Sequence, residues 1–242
     1  MPPEAAFVAI FAAVVIAAFI QGASGIGFAM ITAPVLALLA PELLPGCLLV
    51  LMLPLNAVVA WQERAAIDRL GARWITCGRV FGAFGGAGVL LLLSTRTLAV
   101  AVGLTTLLAT VISVCAPAFK PGSRAFAAAG FATGITETTT GIGGPPLALV
   151  YQHERPATLR STIALCFLIG EVVSIALLAI TGRPIAEYLL VTMALVPAVA
   201  VGILLSRRVR HRINASALRI FVLAFSAVSG AVLIAYAILE YP

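Results

Sequence analysis

The 242-residue chain is 62% hydrophobic and 10% charged, where an ordinary soluble domain is about 25% charged, and its mean hydropathy is +1.14. Too little polar surface remains to cover a soluble core of this size, which excludes a soluble globular enzyme, a disordered chain and a nucleic-acid-binding domain despite an isoelectric point near 9.7. The net charge of +6 therefore reads as loop topology, because basic residues orient membrane proteins.

The amino terminus carries Glu4 and no basic stretch, unlike a signal peptide, so Ala5 onward is read as retained structure. Apolar segments follow at 5–20, 26–39, 43–61, 74–93, 97–116, 125–138, 142–152, 161–181, 186–205 and 215–239. A spanning helix needs about 20 residues, and most of the segments qualify. Segments 26–39 and 142–152 are too short to cross comfortably, and each follows a Gly-rich break. The runs are rich in Ala and Leu without period-2 alternation, which argues against strands. The expected class is an all-α polytopic membrane protein forming one integral membrane domain. Cys47, Cys77, Cys115 and Cys166 all fall in apolar runs without zinc spacing, so they are expected as small buried hydrophobes.

Eleven of the fifteen basic residues lie in four loops. These are Arg64, Arg69 and Arg73; Lys120 and Arg124; Arg155 and Arg160; and Arg207, Arg208, Arg210 and Arg212. Arg96 and Arg183 stand alone in short links, while Arg79 and Arg219 are placed near helix ends, where long side chains snorkel. The positive-inside rule puts the four rich loops in the cytoplasm. Segments 125–138 and 142–152 then form a hairpin entered from the cytoplasm, and both termini lie outside.

Gly25-Ile26-Gly27 recurs 116 residues later as Gly141-Ile142-Gly143, and the same shift carries Gly86 onto Gly202. The chain divides into repeats at 1–116 and 117–242. Each has five segments and opens with a broken-helix hairpin. An odd number per repeat inverts the second copy, a construction of many secondary transporters, with the site at the repeat interface.

The first break reads Gln21-Gly22-Ala23-Ser24-Gly25-Ile26-Gly27-Phe28 and the second Glu137-Thr138-Thr139-Thr140-Gly141-Ile142-Gly143-Gly144-Pro145-Pro146. Irregular backbone at membrane depth is tolerated where protein or a water-filled cavity covers it. Each break is expected to expose the amino-terminal end of a short helix, near Gly27 and Gly144, whose free N–H groups and dipole suit an anion. Ser24 and Thr138–Thr140 add hydroxyl donors, and Gln21, Gly25, Asn56, Gly141 and Gly143 complete the expected substrate-binding set. Singly, each glycine or threonine reads equally well as helix packing or carbonyl satisfaction. The pairing of two breaks in corresponding positions favours a site.

Glu137 and Glu171 lie within apolar stretches, and Asn56 is the first-half counterpart of Glu171 within one residue. An ionisable group in a membrane is costly and functional by default. A carboxylate beside an anion repels it unless protonated, and burial favours the neutral form. Glu137 or Glu171 is thus a candidate carrier of a coupling proton; the other readings are a structural ion pair, for example with Arg79, or an uncoupled pore-facing group. His153 and His211 read as solvated loop residues, and Asp68, the only aspartate, lies in a loop. Neither a pair of membrane-embedded aspartates nor an HExxH is present, so no enzyme is expected.

These features resemble the TauE/SafE family of sulfite-exporter-like membrane permeases. The matching residues are Gly25-Ile26-Gly27-Phe28 with Pro34, Gly141-Ile142-Gly143-Gly144 with Pro145-Pro146, and the Gly-rich span and basic turn from Gly202 through Arg212. Phe28 and Ala29 stand where glycines are common in the family. The resemblance implies transport of a small anion, often sulfur-containing, such as sulfite or an organosulfonate, across the bacterial inner membrane. The expected protein is a secondary transporter working by alternating access, coupled to a proton or sodium, with the lipid bilayer and the anion as partners and a homo-oligomer left open. No cofactor is expected, and no GxxxxGK[ST] motif is present. An anion channel and a membrane subunit of a larger complex are the competing readings.

Overall fold

The computed structural model describes residues 3–115, 120–181, 185–209 and 215–239. Each apolar segment becomes a helix: α1 (Pro3–Ser24), α2 (Phe28–Leu39), α3 (Gly46–Gln62), α4 (Arg69–Leu92), α5 (Thr95–Cys115), α6 (Ser123–Thr140), α7 (Gly144–Val150), α8 (Pro156–Ile180), α9 (Ile185–Val209) and α10 (Ala215–Leu239). Six are long and apolar enough to cross a membrane among the described residues, which fits a polytopic membrane protein. At about 1.5 Å per residue, the 12 residues of α2 and the 7 of α7 are too short to cross.

Two helix starts differ from the hydropathy reading, for reasons of local chemistry. The Asp68 carboxylate accepts hydrogen bonds from the Leu70 and Gly71 amides at 3.1 and 3.0 Å. This cap satisfies two otherwise orphaned donors, so α4 begins at Arg69 although its first turn is polar. Pro156 occupies the first turn of α8, where its missing N–H costs nothing. The early start of α4 overturns the expectation that Arg79 snorkels from a helix end. It lies in the helix interior with no exposed surface. The side chains of Arg183, Arg210, His211, Arg212 and Arg219 lie outside the described residues.

Small residues set the packing. Gly78, Gly82 and Gly86 recur every fourth residue on one face of α4 and lie against the backbone of α6 at Ala127, Phe131 and Ile135. Gly130 and Gly134 of α6 return the contact at Ile75 and Arg79. A Cβ on any of them would run into the neighbouring backbone, so the two helices approach as closely as glycine permits. Gly202 of α9 sits likewise against Val15 and Ala18 of α1. Helices α3 and α8 pack against each other, as do α5 and α10.

The outer surface is apolar, with Phe81, Phe84, Leu92, Leu108, Val228 and Leu239 all exposed, as lipid requires. Cys47 and Cys166 are buried as expected, but Cys77 and Cys115 are exposed on helix surfaces. In a membrane protein an apolar run carries lipid-facing residues as well as core. Loop 62–73, residues 151–160 and the carboxyl end of α9 meet at one end of the bundle. There Arg160 makes a two-pronged ion pair with Glu63 at 3.0 and 2.6 Å. Tyr151 Oη donates to Asp68 Oδ2 at 2.9 Å, and Arg207 shares a cleft with Gln62 and Glu63. Trp61 and Trp74 are exposed near this end, Trp61 beneath the Arg64 guanidinium at 4.6 Å. Such aromatics mark a membrane–water boundary.

Candidate functional site

The first break opens where α1 ends at Ser24. Gly25 and Gly27 take φ of 92° and 120°, conformations that side-chain-bearing residues rarely adopt. The chain thereby reverses into α2 within three residues. Gln21 holds the reversal: its Oε1 accepts from the Phe28 amide at 3.0 Å, capping α2, and its Nε2 donates to Asn56 Oδ1 at 3.0 Å. Asn56 Nδ2 donates in turn to Glu171 Oε1 at 2.6 Å. A chain of buried polar groups thus runs from α1 through α3 to α8.

The second break is built similarly. Gly141 takes φ 82° and its amide donates to the Glu137 carbonyl at 2.7 Å. Thr133 Oγ1 donates to the Gly143 carbonyl at 3.1 Å, and the Ile142 amide donates to Thr140 Oγ1 at 3.3 Å. The two breaks meet: a Cβ on Gly144 would lie 3.8 Å from Ile26 Cβ.

The expected hydroxyl donors are engaged within the protein. Ser24 Oγ lies 2.8 Å from the Ile20 carbonyl and 2.6 Å from that of Ile26. Thr138 Oγ1 pairs with Ser174 Oγ at 2.7 Å. Thr139 Oγ1 reaches the Gly86 and Ile135 carbonyls, and Thr140 Oγ1 the Thr136 carbonyl. The amide donors are fewer than the sequence suggests, since Gln21 takes Phe28 N–H and Pro145 and Pro146 have none. Gln21, Asn56, Glu137, Thr138, Thr139, Thr140 and Glu171 are each 5% exposed or less. Ser24, Ile26 and Gly144, at the junction of the breaks, are partly exposed.

Sequence reasoning left one residue out of the binding set that the fold places at its centre. Arg79 of α4 forms an ion pair with Glu137 of α6, both side chains fully buried. Its guanidinium lies against Gly170 of α8, where a Cβ would collide with it, and 4.8 Å from the Phe167 ring centroid. Among the described residues, Nε and Nη1 of Arg79, Oε1 of Glu137 and Oε2 of Glu171 have no hydrogen-bond partner. A buried guanidinium with two unpaired donor nitrogens has the chemistry to hold an anionic acceptor. The signal that could have found part of this was Asp68: recognised as a helix cap, it moves Arg79 from a helix end into the interior of α4.

The family model described as sulfite exporter TauE/SafE matches residues 10–233, nearly the whole chain. No curated protein and no solved structure matches it.

Proposed function

Since the chain belongs to the sulfite exporter TauE/SafE family, we propose that it carries a small sulfur-containing anion, sulfite or an organosulfonate, across the bacterial inner membrane by alternating access. The observation that carries this reading is the junction of the two breaks. Gly144 faces Ile26 there, close enough that a Cβ on it would lie 3.8 Å from Ile26 Cβ, beside a buried polar system comprising Gln21, Asn56 and Glu171 on one side and Arg79 and Glu137 on the other. Charged groups at such depth mark a substrate or ion path. In this reading Gln21, Ser24, Gly25, Gly27, Asn56, Thr138–Thr140, Gly141, Gly143 and Gly144 form the shell around the anion.

In this reading the two halves are inverted repeats, and the packing pattern supports it. A shift of 116 residues places Gln21 on Glu137 and Gly25 on Gly141. Exchange of the halves turns the α4–α6 contact into the α9–α1 contact, and the α3–α8 and α5–α10 contacts into themselves. Asn56 and Glu171, 115 positions apart, bond directly, as counterparts near a two-fold axis would. With the Arg-rich end placed in the cytoplasm, the termini lie outside, and rocking of one half against the other alternates access.

The test is uptake of radiolabelled sulfite, methanesulfonate and sulfate into liposomes containing the purified chain. The reading expects saturable uptake of at least one sulfur oxyanion and counterflow accumulation above the external concentration. Flux that never accumulates substrate would assign a channel, and no flux from a monodisperse reconstituted chain would overturn transport by this protein alone.

A further inference from the structure

The buried compartment between α4, α6 and α8 has a charge balance that dictates what can enter with an anion; this inference rests on the transport reading of the same site. Arg79 supplies a charge that is never lost. Glu137 is paired with Arg79 from α4, and from α8 Glu171 and the buried Cys166 lie near that same guanidinium; α7 contains no ionisable residue, and those of α5, Arg96 and Cys115, lie at its two ends. An uncompensated charge in such a place is expensive. With Arg79 charged and Glu137 ionised against it, the compartment is neutral only when Glu171 carries a proton. Asn56 bonds Glu171 through Oε1 alone and leaves Oε2 free to hold it.

A monoanion arriving here finds one cation. Arg79 has Nε and Nη1 without partners, and Glu137 holds Nη2. Neutrality survives the arrival only if one more proton arrives as well, and protonation of Glu137 is the event that releases Nη2. We propose that Arg79 is the cation that binds the transported anion and that each monoanion enters together with one proton taken up by Glu137. In balance, X⁻ and H⁺ join the Arg79–Glu137 pair to give an Arg79–X⁻ pair and a neutral Glu137 carboxylic acid; the one covalent change is the new O–H bond. Proton and anion help each other to bind, the opposite of an exchanger, in which they compete. A dianion would need a second proton, and Glu171 already carries one, so hydrogensulfite and sulfonates are favoured over sulfate and thiosulfate.

The experiment uses the full chain in liposomes with a pH indicator in the lumen and methanesulfonate, a monoanion ionised throughout the range, as probe, with sulfate for comparison. The expected result is one proton entering per methanesulfonate, no dependence on a clamped membrane potential, and little sulfate movement. Methanesulfonate affinity, read by thermal shift, should tighten by about tenfold per pH unit on acidification while Glu137 is ionised, the slope for one linked proton. In the double variant Glu137→Gln/Glu171→Gln, where no carboxyl is left to take up a proton, the anion binds without pH dependence and moves without a proton. In Glu171→Gln, whose amide resembles the protonated acid, the proton-to-anion ratio stays at one at whatever rate the variant runs. Methanesulfonate entering the wild type without protons, or a ratio lost in Glu171→Gln, would overturn the proposal while leaving transport intact. Should the double variant not fold, the wild-type ratio and Glu171→Gln still decide. If no sulfur oxyanion moves at all, the transport reading fails and this inference with it.

Discussion

The Arg79–Glu137 pair makes an asymmetric prediction about stability. Removing one member of a buried pair leaves a stranded charge, at a cost of about 3–5 kcal/mol. The two stranded charges have different ways out. In Arg79→Leu, Glu137 can take a proton; from an ordinary carboxyl pKa near 4.3 that costs about 3.7 kcal/mol at pH 7 and about 1 kcal/mol at pH 5. In Glu137→Leu, the guanidinium cannot shed its proton at any working pH, and its one way out is the proton on Glu171, which is given up less readily as the pH falls. Arg79→Leu should therefore be destabilised by about 3–4 kcal/mol at pH 7 and recover most of it by pH 5, while Glu137→Leu recovers nothing on acidification and is about 3–5 kcal/mol down at pH 5. The double variant removes both charges from the apolar contact of α4 and α6. It should lie within about 1–2 kcal/mol of the wild type, as replacing a buried pair by hydrophobic residues often does. Unfolding in mixed micelles by added dodecyl sulfate, followed by circular dichroism at pH 5 and pH 7, measures all four proteins. A double variant as unstable as the two single losses combined, or singles with the same pH response, would refute the reasoning.

The same unfolding assay checks three further expectations. Gly86→Val places a Cβ 2.6 Å from the Ile135 carbonyl oxygen and 2.9 Å from Thr138 Cβ, so α4 and α6 must part at a cost of about 1–3 kcal/mol; Gly88→Ala, which meets nothing within 4 Å, should change stability by no more than about 0.5 kcal/mol. Gly141→Ala forces a side chain into a left-handed conformation and against Leu48 Cδ2 at 2.8 Å, for a loss of about 1–2 kcal/mol; an unchanged midpoint would mean the turn is not held in that conformation. Arg160→Gln breaks the ion pair to Glu63, whose side chains are 14% and 12% exposed; the expected loss is about 1 kcal/mol, smaller in 1 M salt than in dilute buffer, and a loss independent of salt would assign the effect to packing against Gly25 instead.

Hydropathy alone placed ten helices in order, because a membrane span must satisfy its backbone internally and shield it with apolar side chains, so length and composition carry the signal. Boundaries were less legible where capping competed with hydropathy. Asp68 and Pro156 start α4 and α8 five residues before the apolar runs begin. The turns at Gly25 and Gly141 were readable, since a glycine-rich interruption in an apolar stretch has few other uses. What the hydroxyls of Ser24 and Thr138–Thr140 bond to was not, because a threonine beside a helix end serves a ligand or a carbonyl equally well.

The sequence by itself determined that this is a polytopic helical membrane protein, broken at two matching places, with two glutamates inside the apolar region. Those are one-dimensional properties: hydropathy, spacing and charge. Only the tertiary structure decided that Arg79 joins those glutamates, that Gln21, Asn56 and Glu171 form one chain, and that Ile26 meets Gly144. These contacts join residues up to 118 positions apart across helices whose lateral order no periodicity encodes. The close approach of α4 and α6 that brings Arg79 to Glu137 depends on glycines meeting backbone from another helix, and complementarity of that kind appears only once the helices are packed.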